Sequence, residues 1–302
     1  MNSIIETENL TCRFGKKEVI RGLTMKVPEG SIFAFLGPNG AGKTTTIKML
    51  MNILSPSAGW ATVLGADSRR LSPTELARIG YVSENQQLPE WMTIEQLVNF
   101  CRPMYPGWDA EFAGRLSQQF NLPLREKIAN LSRGMKIKTA LLVSLAYRPT
   151  LLILDEPFSG LDALVRDEFI RGVLELTAQE NWTVFISSHD LDEVERLADW
   201  VGMIHEGQLK RCESMASLQE RFRQIQVAIA ENQTVPASCP ANWLNLEKTG
   251  RSLRFVDTAY FAATTEKAVR QVLPQAGVVT ATPMSLKEIF LVLTRHYQFN
   301  LS

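Results

Sequence analysis

The sequence has little cysteine and no cysteine pair at metal or redox spacing: Cys12, Cys101, Cys212 and Cys239 stand far apart. A CxxC chelate or redox motif is thereby excluded, and a reducing compartment is the expectation. No tail or stripe of Lys and Arg occurs, and 32 basic residues balance 32 acidic ones, which argues against nucleic acid as a partner. The longest apolar runs, such as SIFAFLG and TLLILDEP, fall far short of the roughly 20 residues a spanning helix needs. Any membrane role is expected to come through a partner. The opening MNSIIETENLTCRFG carries acidic residues where a signal peptide has a basic region followed by an apolar one, so the mature chain is expected to begin near Met1. The NxT sequence at Asn181 then reads as incidental, because glycosylation requires a secreted chain.

What is present is an ordinary apolar fraction, 45% of 302 residues, enough for one large α/β domain and a small appended one. IIETENLTCRFGKKEVIRGLTMKV reads as antiparallel strands turning at Gly15, Lys16 and Lys17. SIFAFLG is a short buried strand, and KTTTIKMLMNIL after Gly42 has apolar residues at helical spacing. From about 86 to 147 the pattern is mostly helical, interrupted at Pro103, Pro106 and Pro123, which predicts an inserted helical subdomain. TLLILDEP and WTVFISSH are continuous apolar strands, each followed by a helical pattern, as in a parallel α/β sheet. Composition shifts near Gln219, giving expected domains of 1–220 and 221–302. In the second, RQIQVAIA and GVVTAT read as strands, Thr249 and Gly250 as a hairpin turn, and Thr265 to Val272 as a helix. Ser285 and Glu288 form a capping box for a last helix with Leu286, Ile289, Phe290 and Leu293 on one face.

The chemistry is concentrated in two motifs. GPNGAGKT, comprising Gly37, Pro38, Asn39, Gly40, Ala41, Gly42, Lys43 and Thr44, followed by Thr45, matches GxxxxGK[ST] between a strand and a helix. Its glycines let backbone N–H groups turn inward around phosphates, and the helix adds its positive end. Lys43 is expected to supply charge to the β and γ phosphates of ATP, and Thr44 to ligate Mg²⁺. LLILDEP delivers two carboxylates at the end of an apolar strand, where α/β sheets bind ligands. Asp155 is placed to hold Mg²⁺ through water and Glu156 to orient the attacking water. Taken alone, the two acids could instead cap the next helix.

In order, GPNGAGKT, LSRGM (Leu131 to Met135), LLILDEP, SGLD (Ser159 to Asp162) and a strand ending at His189 resemble an ATP-binding cassette (ABC) ATPase over residues 1 to about 220. The tail, ending in SLKEIFLVLT, is similar to the accessory segment of cassettes serving exporters of the ABC-2 type. The resemblance implies an α/β P-loop core with an antiparallel β edge and a helical subdomain, plus a small α+β C-terminal domain. It also implies ATP and Mg²⁺ as cofactors, and a head-to-tail pairing with a second cassette subunit. Ser132 and Gly134 would then face the phosphate held by the other subunit's Lys43, since a hydroxyl, an N–H and a helix start form an anion site. Read locally, Ser132 is equally a helix cap. By the same resemblance His189 donates to the γ phosphate, Asp162 touches the opposite subunit, Phe14 stacks on adenine, and Glu84 stands where the family has a glutamine sensing metal and water. Each has a plainer local reading: cap, turn aspartate, ordinary phenylalanine, solvated glutamate.

Two departures stand out, Glu84 for glutamine and LSRGM for LSGGQ. After Glu84 come Leu88, Trp91, Met92, Leu97, Phe100, Met104, Tyr105 and Trp108, in the region that in the family receives the membrane subunit, although most are expected in the helical subdomain's core and only a few at the surface. The implied function is an ATPase subunit, peripheral on the cytoplasmic face, powering a separate membrane permease. A soluble cassette acting in translation or DNA maintenance is the alternative, but tandem cassettes and coiled-coil inserts are not seen. A non-catalytic binding module conflicts with Lys43, Asp155 and Glu156.

Overall fold

Ile32–Leu36 (IFAFL) is a strand whose five residues are all buried, so the sheet that holds it must be covered on both faces. A computed structural model describes residues 2–234 and 238–299 and divides into two compact units, Met1–Cys212 and Glu213–Ser302. The division falls before helix Met215–Arg221, where the sequence reading put it between 220 and 221, within that helix's last turn.

In chain order the first unit contains β1 (Ser3–Phe14), β2 (Lys17–Pro28), β3 (Ile32–Leu36), α1 (Lys43–Leu50), β4 (Ala58–Val63), β5 (Ala66–Asp67), α2 (Pro73–Leu76) and β6 (Ile79–Ser83). There follow α3 (Ile94–Cys101), α4 (Ala110–Gln119), α5 (Arg133–Leu145), β7 (Leu151–Asp155), α6 (Ala163–Glu180), β8 (Thr183–Ser188), α7 (Leu191–Leu197), β9 (Trp200–His205) and β10 (Gln208–Ser214), whose last two residues fall past the division. One sheet has the order β2-β1-β4-β5, the other β10-β9-β3-β8-β7-β6. In the first, β1 pairs antiparallel with β2 and β4, while in the second β9, β3, β8, β7 and β6 run parallel. Ile5, Leu10, Ile20 and Leu23 from the first sheet meet Phe33, Phe35 and Phe185 from the second, with Ile47 of α1, in one core cluster. Phe33 stacks on Phe185 at 5.6 Å between ring centroids, and each such side chain withdrawn from water stabilises by roughly 1.5–3 kcal/mol.

The helical segment starts where capping predicts. Thr93 and Gln96 form a capping box for α3, Asp109 caps α4 and Ser132 caps α5. β4, β5, β6, β9 and β10 were not read from sequence. The case of β9 is instructive: Gly202 interrupts its apolar run, because a Cβ there would lie 2.9 Å from the Phe33 ring.

The second unit contains α8 (Met215–Arg221), β11 (Arg223–Ala228), β12 (Trp243–Thr249), β13 (Ser252–Asp257), α9 (Ala262–Val272), β14 (Val279–Pro283) and α10 (Leu286–Phe299). Its antiparallel sheet, β12-β13-β11-β14, has its own core of Ile225, Val227, Leu253, Phe255 and Val269. The hairpin pairs Thr249 with Ser252 around Gly250. At α10 the Ser285 N–H donates to Glu288 Oε2 at 2.7 Å and the Glu288 N–H to Ser285 Oγ at 3.3 Å, the reciprocal cap read from sequence.

Candidate functional site

Four chemically loaded segments end level at the carboxyl edge of the parallel sheet. Ser83 is in register with Asp155, Asp155 with Ser187, and Ser188 with Leu36. The residues that leave the sheet next are therefore Glu84, Glu156, His189 and Gly37. Continuous hydrogen-bonded ladders fix these starting points relative to one another, which sets the site's precision.

The loop Gly37 to Gly42 turns inward with Gly40 and Gly42 at φ +81 and +110. At Gly42 a Cβ would force Ile20 Cδ1, 2.3 Å away, to move, and its φ is strained for any L side chain. Ala41 and Gly42 are buried, and Pro38, Asn39 and Gly40 are exposed. α1 has no acidic residue in its first turn, which leaves its positive end available to an anion. Lys43, only 5% exposed, donates from Nζ to the carbonyls of Gly37 at 2.6 Å and Pro38 at 3.3 Å. Its ammonium also lies 3.0 Å from Glu156 Oε1, an ion pair without hydrogen-bond alignment.

Asp155 is nearly sealed from solvent. Its Oδ1 accepts from Ser187 Oγ at 2.6 Å and from Thr44 Oγ1 at 3.2 Å. Burial pushes its carboxyl above the usual carboxylate range, against the opposing pull of these two hydroxyls. Glu156 follows in the left-handed region, φ +52. Among the described residues Asn supplies five of the nine non-glycine positions with positive φ, and a glutamate in this region, as at Glu156 and Glu206, is strained. Its N–H is held by Ser187, through the carbonyl at 3.2 Å and Oγ at 3.1 Å. Its Oε2 lies 2.7 Å from His189 Nδ1. Lys43 and His189 therefore grip opposite oxygens of one carboxylate. With Glu156 ionised, Nδ1 carries the proton of that contact.

The structure thus brings together Lys43, Thr44, Asp155, Glu156 and His189. Thr45 sits half-buried on α1. The remaining sequence candidates lie in other contacts. Ser132 Oγ accepts from the Met135 N–H at 3.2 Å, and Asp162 Oδ1 from the Val165 N–H at 2.9 Å, so each is a helix N-cap within its own subunit. Gly134 is pressed against α6, where a Cβ would lie 2.8 Å from Val165 Cγ1. Phe14 is half exposed at the end of β1. The Glu84 N–H donates to the Asp155 carbonyl at 2.9 Å, while its Oε1 accepts from Ser159 Oγ at 2.5 Å and from Arg133 Nη2 at 3.3 Å. Sequence reasoning missed Ser187, which touches both carboxylate residues; the polar SS pair closing the apolar run of WTVFISSH was the available signal. Of the apolar residues after Glu84, Trp91, Phe100 and Met104 are exposed, while Met92 and Leu97 are buried.

Among the described residues no cluster of three or more His, Cys, Asp and Glu could hold a metal. Mg²⁺ takes oxygen ligands, keeps several waters and binds through one or two protein groups plus phosphates. Thr44 Oγ1 and Asp155 Oδ1 are such oxygens. Among the described residues no helix is long and apolar enough to cross a membrane.

The family described as ABC transporter matches residues 20–159. The ABC transporter ATP-binding protein YtrB of Bacillus subtilis (strain 168) is 29% identical over 225 residues, 74% of this chain and 77% of that protein. The bacitracin transport ATP-binding protein BcrA of Bacillus licheniformis is 36% identical over 216 residues, 69% of each chain. The lantibiotic transport ATP-binding protein SrtF of Streptococcus pyogenes is 32% identical over 232 residues, 72% of this chain and 96% of that one. Among solved structures, an ATP-binding subunit of an ABC transporter superposes with a TM-score of 0.66 at 28% identity, covering 72% of this chain and 92% of that one. A dimeric ATP-binding cassette bound to ADP and Pi has a TM-score of 0.62 at 20% identity over 70% and 98%, a likeness of fold.

Proposed function

Because the chain belongs to the ATP-binding proteins of ABC transporters, we propose that its Lys43, Thr44, Asp155, Glu156 and His189 carry the ATP hydrolysis that drives a membrane permease. The observation that supports this most directly is the Lys43 ammonium, buried in its own phosphate loop and 3.0 Å from the Glu156 carboxylate.

The loop's N–H groups and the start of α1 hold the phosphates, and Lys43 exchanges Glu156 for the β and γ oxygens. Thr44 and Asp155 would hold Mg²⁺, which when bound neutralises phosphate charge. Glu156 orients a water and accepts its proton as the water oxygen bonds to the γ phosphorus. The bond to the β–γ bridging oxygen breaks and ADP leaves. A neutral His189 with its proton on Nδ1 has only an acceptor at Nε2. It therefore donates to the γ phosphate either from Nδ1, once released by Glu156, or as imidazolium from Nε2.

Ser132, Gly134 and Asp162 are assigned to a second cassette subunit that pairs head to tail, and Phe14 to the adenine. The permease docks beside Trp91, Phe100 and Met104. The names of the relatives, bacitracin and lantibiotic transport proteins, support an exporter, with the cassette on the cytoplasmic face.

Two variants test the assignment. Lys43→Ala should lose MgATP binding, measured by calorimetry on a folded protein. Glu156→Gln should retain binding but turn over at least about a hundredfold more slowly. Unchanged affinity in the first, or near-normal turnover in the second, removes that residue from its role.

A further inference from the structure

Two of the three residues that depart from the family pattern, Glu84 in place of glutamine and Arg133 in place of the first signature glycine, touch each other, while the third is Met135. The touching pair is 49 residues apart in sequence, yet Arg133 Nη2 lies 3.3 Å from Glu84 Oε1. Three segments converge on that oxygen: the end of β6 through Glu84, the first residue of α5 through Arg133, and the turn between β7 and α6 through Ser159 Oγ at 2.5 Å. The guanidinium reaches Glu84 across Gly160. A Cβ on Gly160, which has φ +68, would lie 2.9 Å from Arg133 Nε and 3.0 Å from its Cζ. A side chain at 160 would crowd that path and push the guanidinium aside. A second ion pair, Lys136 Nζ to Glu90 Oε1 at 2.9 Å, ties the next turn of α5 to the segment that follows Glu84.

The electrostatic reason for the pairing lies in the neighbours. Glu84 is bonded through its N–H to the Asp155 carbonyl, at the rim of a site that already contains the Asp155 and Glu156 carboxylates and has to accept a triphosphate. A glutamine there would be neutral. A glutamate adds a negative charge one residue beyond the strand that pairs with Asp155, and its repulsion of a triphosphate weakens binding unless a cation offsets it. A glycine at 133 would supply none.

We propose that Arg133 is a positioning residue for the ATPase reaction, neutralising and orienting the Glu84 carboxylate within the same subunit so that the two work as one exchanged pair. Ser159 and Arg133 both address Oε1, so the carboxylate keeps its second oxygen for a metal-bound water or another donor. This inference rests on the reading of Glu84 as part of the nucleotide site. The pair is half exposed, 48% and 34% by side chain, so solvent screens it and its effect is one of tuning.

A double-mutant cycle on the full chain tests this, using wild type, Glu84→Gln, Arg133→Gly and the double variant, with MgATP affinity and the kcat and KM of hydrolysis as readouts. Arg133→Gly alone should raise KM for MgATP about threefold or more in low salt, and adding Glu84→Gln should bring it back to within about twofold of wild type. The non-additivity should shrink as NaCl is raised from about 50 to about 500 mM, because screening weakens charge coupling. Arg133→Lys keeps the charge without the fork and should fall between wild type and Arg133→Gly, which keeps the cycle readable if the glycine variant folds poorly. Effects that multiply independently would overturn the pairing, and so would a coupling indifferent to salt, which would mark it as packing. Lys43→Ala, measured alongside, separates the two levels of inference. If it binds MgATP normally, the site itself is misassigned; if it loses binding while the cycle is additive, only the pair fails.

Discussion

At the scale of the residue, Asp155 shows most clearly that the site is assembled at a cost to the fold. Its carboxyl is raised from an ordinary value of 3.8 by burial, so the folded state holds that proton more tightly than the unfolded chain does. The linked stability is fully present below the unfolded value and is lost as pH rises through the higher folded one. At neutral pH the ionised group therefore destabilises the protein. Asp155→Asn keeps an oxygen to accept from Ser187 and Thr44 but carries no charge. Its urea midpoint at pH 7 should equal or exceed that of wild type, the advantage closing as pH falls toward about 4, while Mg²⁺-dependent nucleotide binding is lost. A variant clearly less stable at pH 7 would show that the hydroxyl bonds to the charged form outweigh desolvation.

At the scale of the element, β8 is the strand on which most depends. It lies between β3 and β7, its Ser187 holds both carboxylate residues, and His189 follows its end. Phe185 at its centre is fully buried against Phe33 and Phe35. Phe185→Ala should cost about 3–5 kcal/mol in urea unfolding, a large part of a typical domain's stability, and MgATP should recover some of it by binding the folded form. Strands such as β3, β7 and β8 were legible because unbroken apolar runs have few other solutions, and Lys43, Asp155 and Glu156 because their chemistry sits at fixed offsets from those runs. Ser187 and the Glu84–Arg133 contact were not legible. Their meaning depends on register between strands and on a helix start meeting a loop 49 residues away, neither of which local pattern encodes. Ser132 and Asp162 show a different limit: each carries an N-cap bond in its own chain, which by itself is silent about any second subunit.

At the scale of the whole molecule, the proposed head-to-tail dimer yields a complementation test. Lys43→Ala and Ser132→Arg should each abolish ATP-dependent dimerisation alone, because every site in either homodimer is defective. A mixed dimer puts both defects in one site and leaves the other with a normal Lys43 opposite a normal Ser132. Light scattering with Mg-ATP should therefore show dimers again on mixing. Freely exchanging subunits that give none, when wild type does dimerise, would exclude the arrangement. The ion pair between Lys43 and Glu156 has a consequence at this scale too. The cation that should greet the γ phosphate is already shared with the group that should activate water, so ATP arrives by displacing an internal substitute. Its measured affinity is then the difference between two anions competing for one ammonium. The same exchange releases the base only when there is a phosphate for it to act on, an interlock that ties readiness for hydrolysis to the presence of fuel.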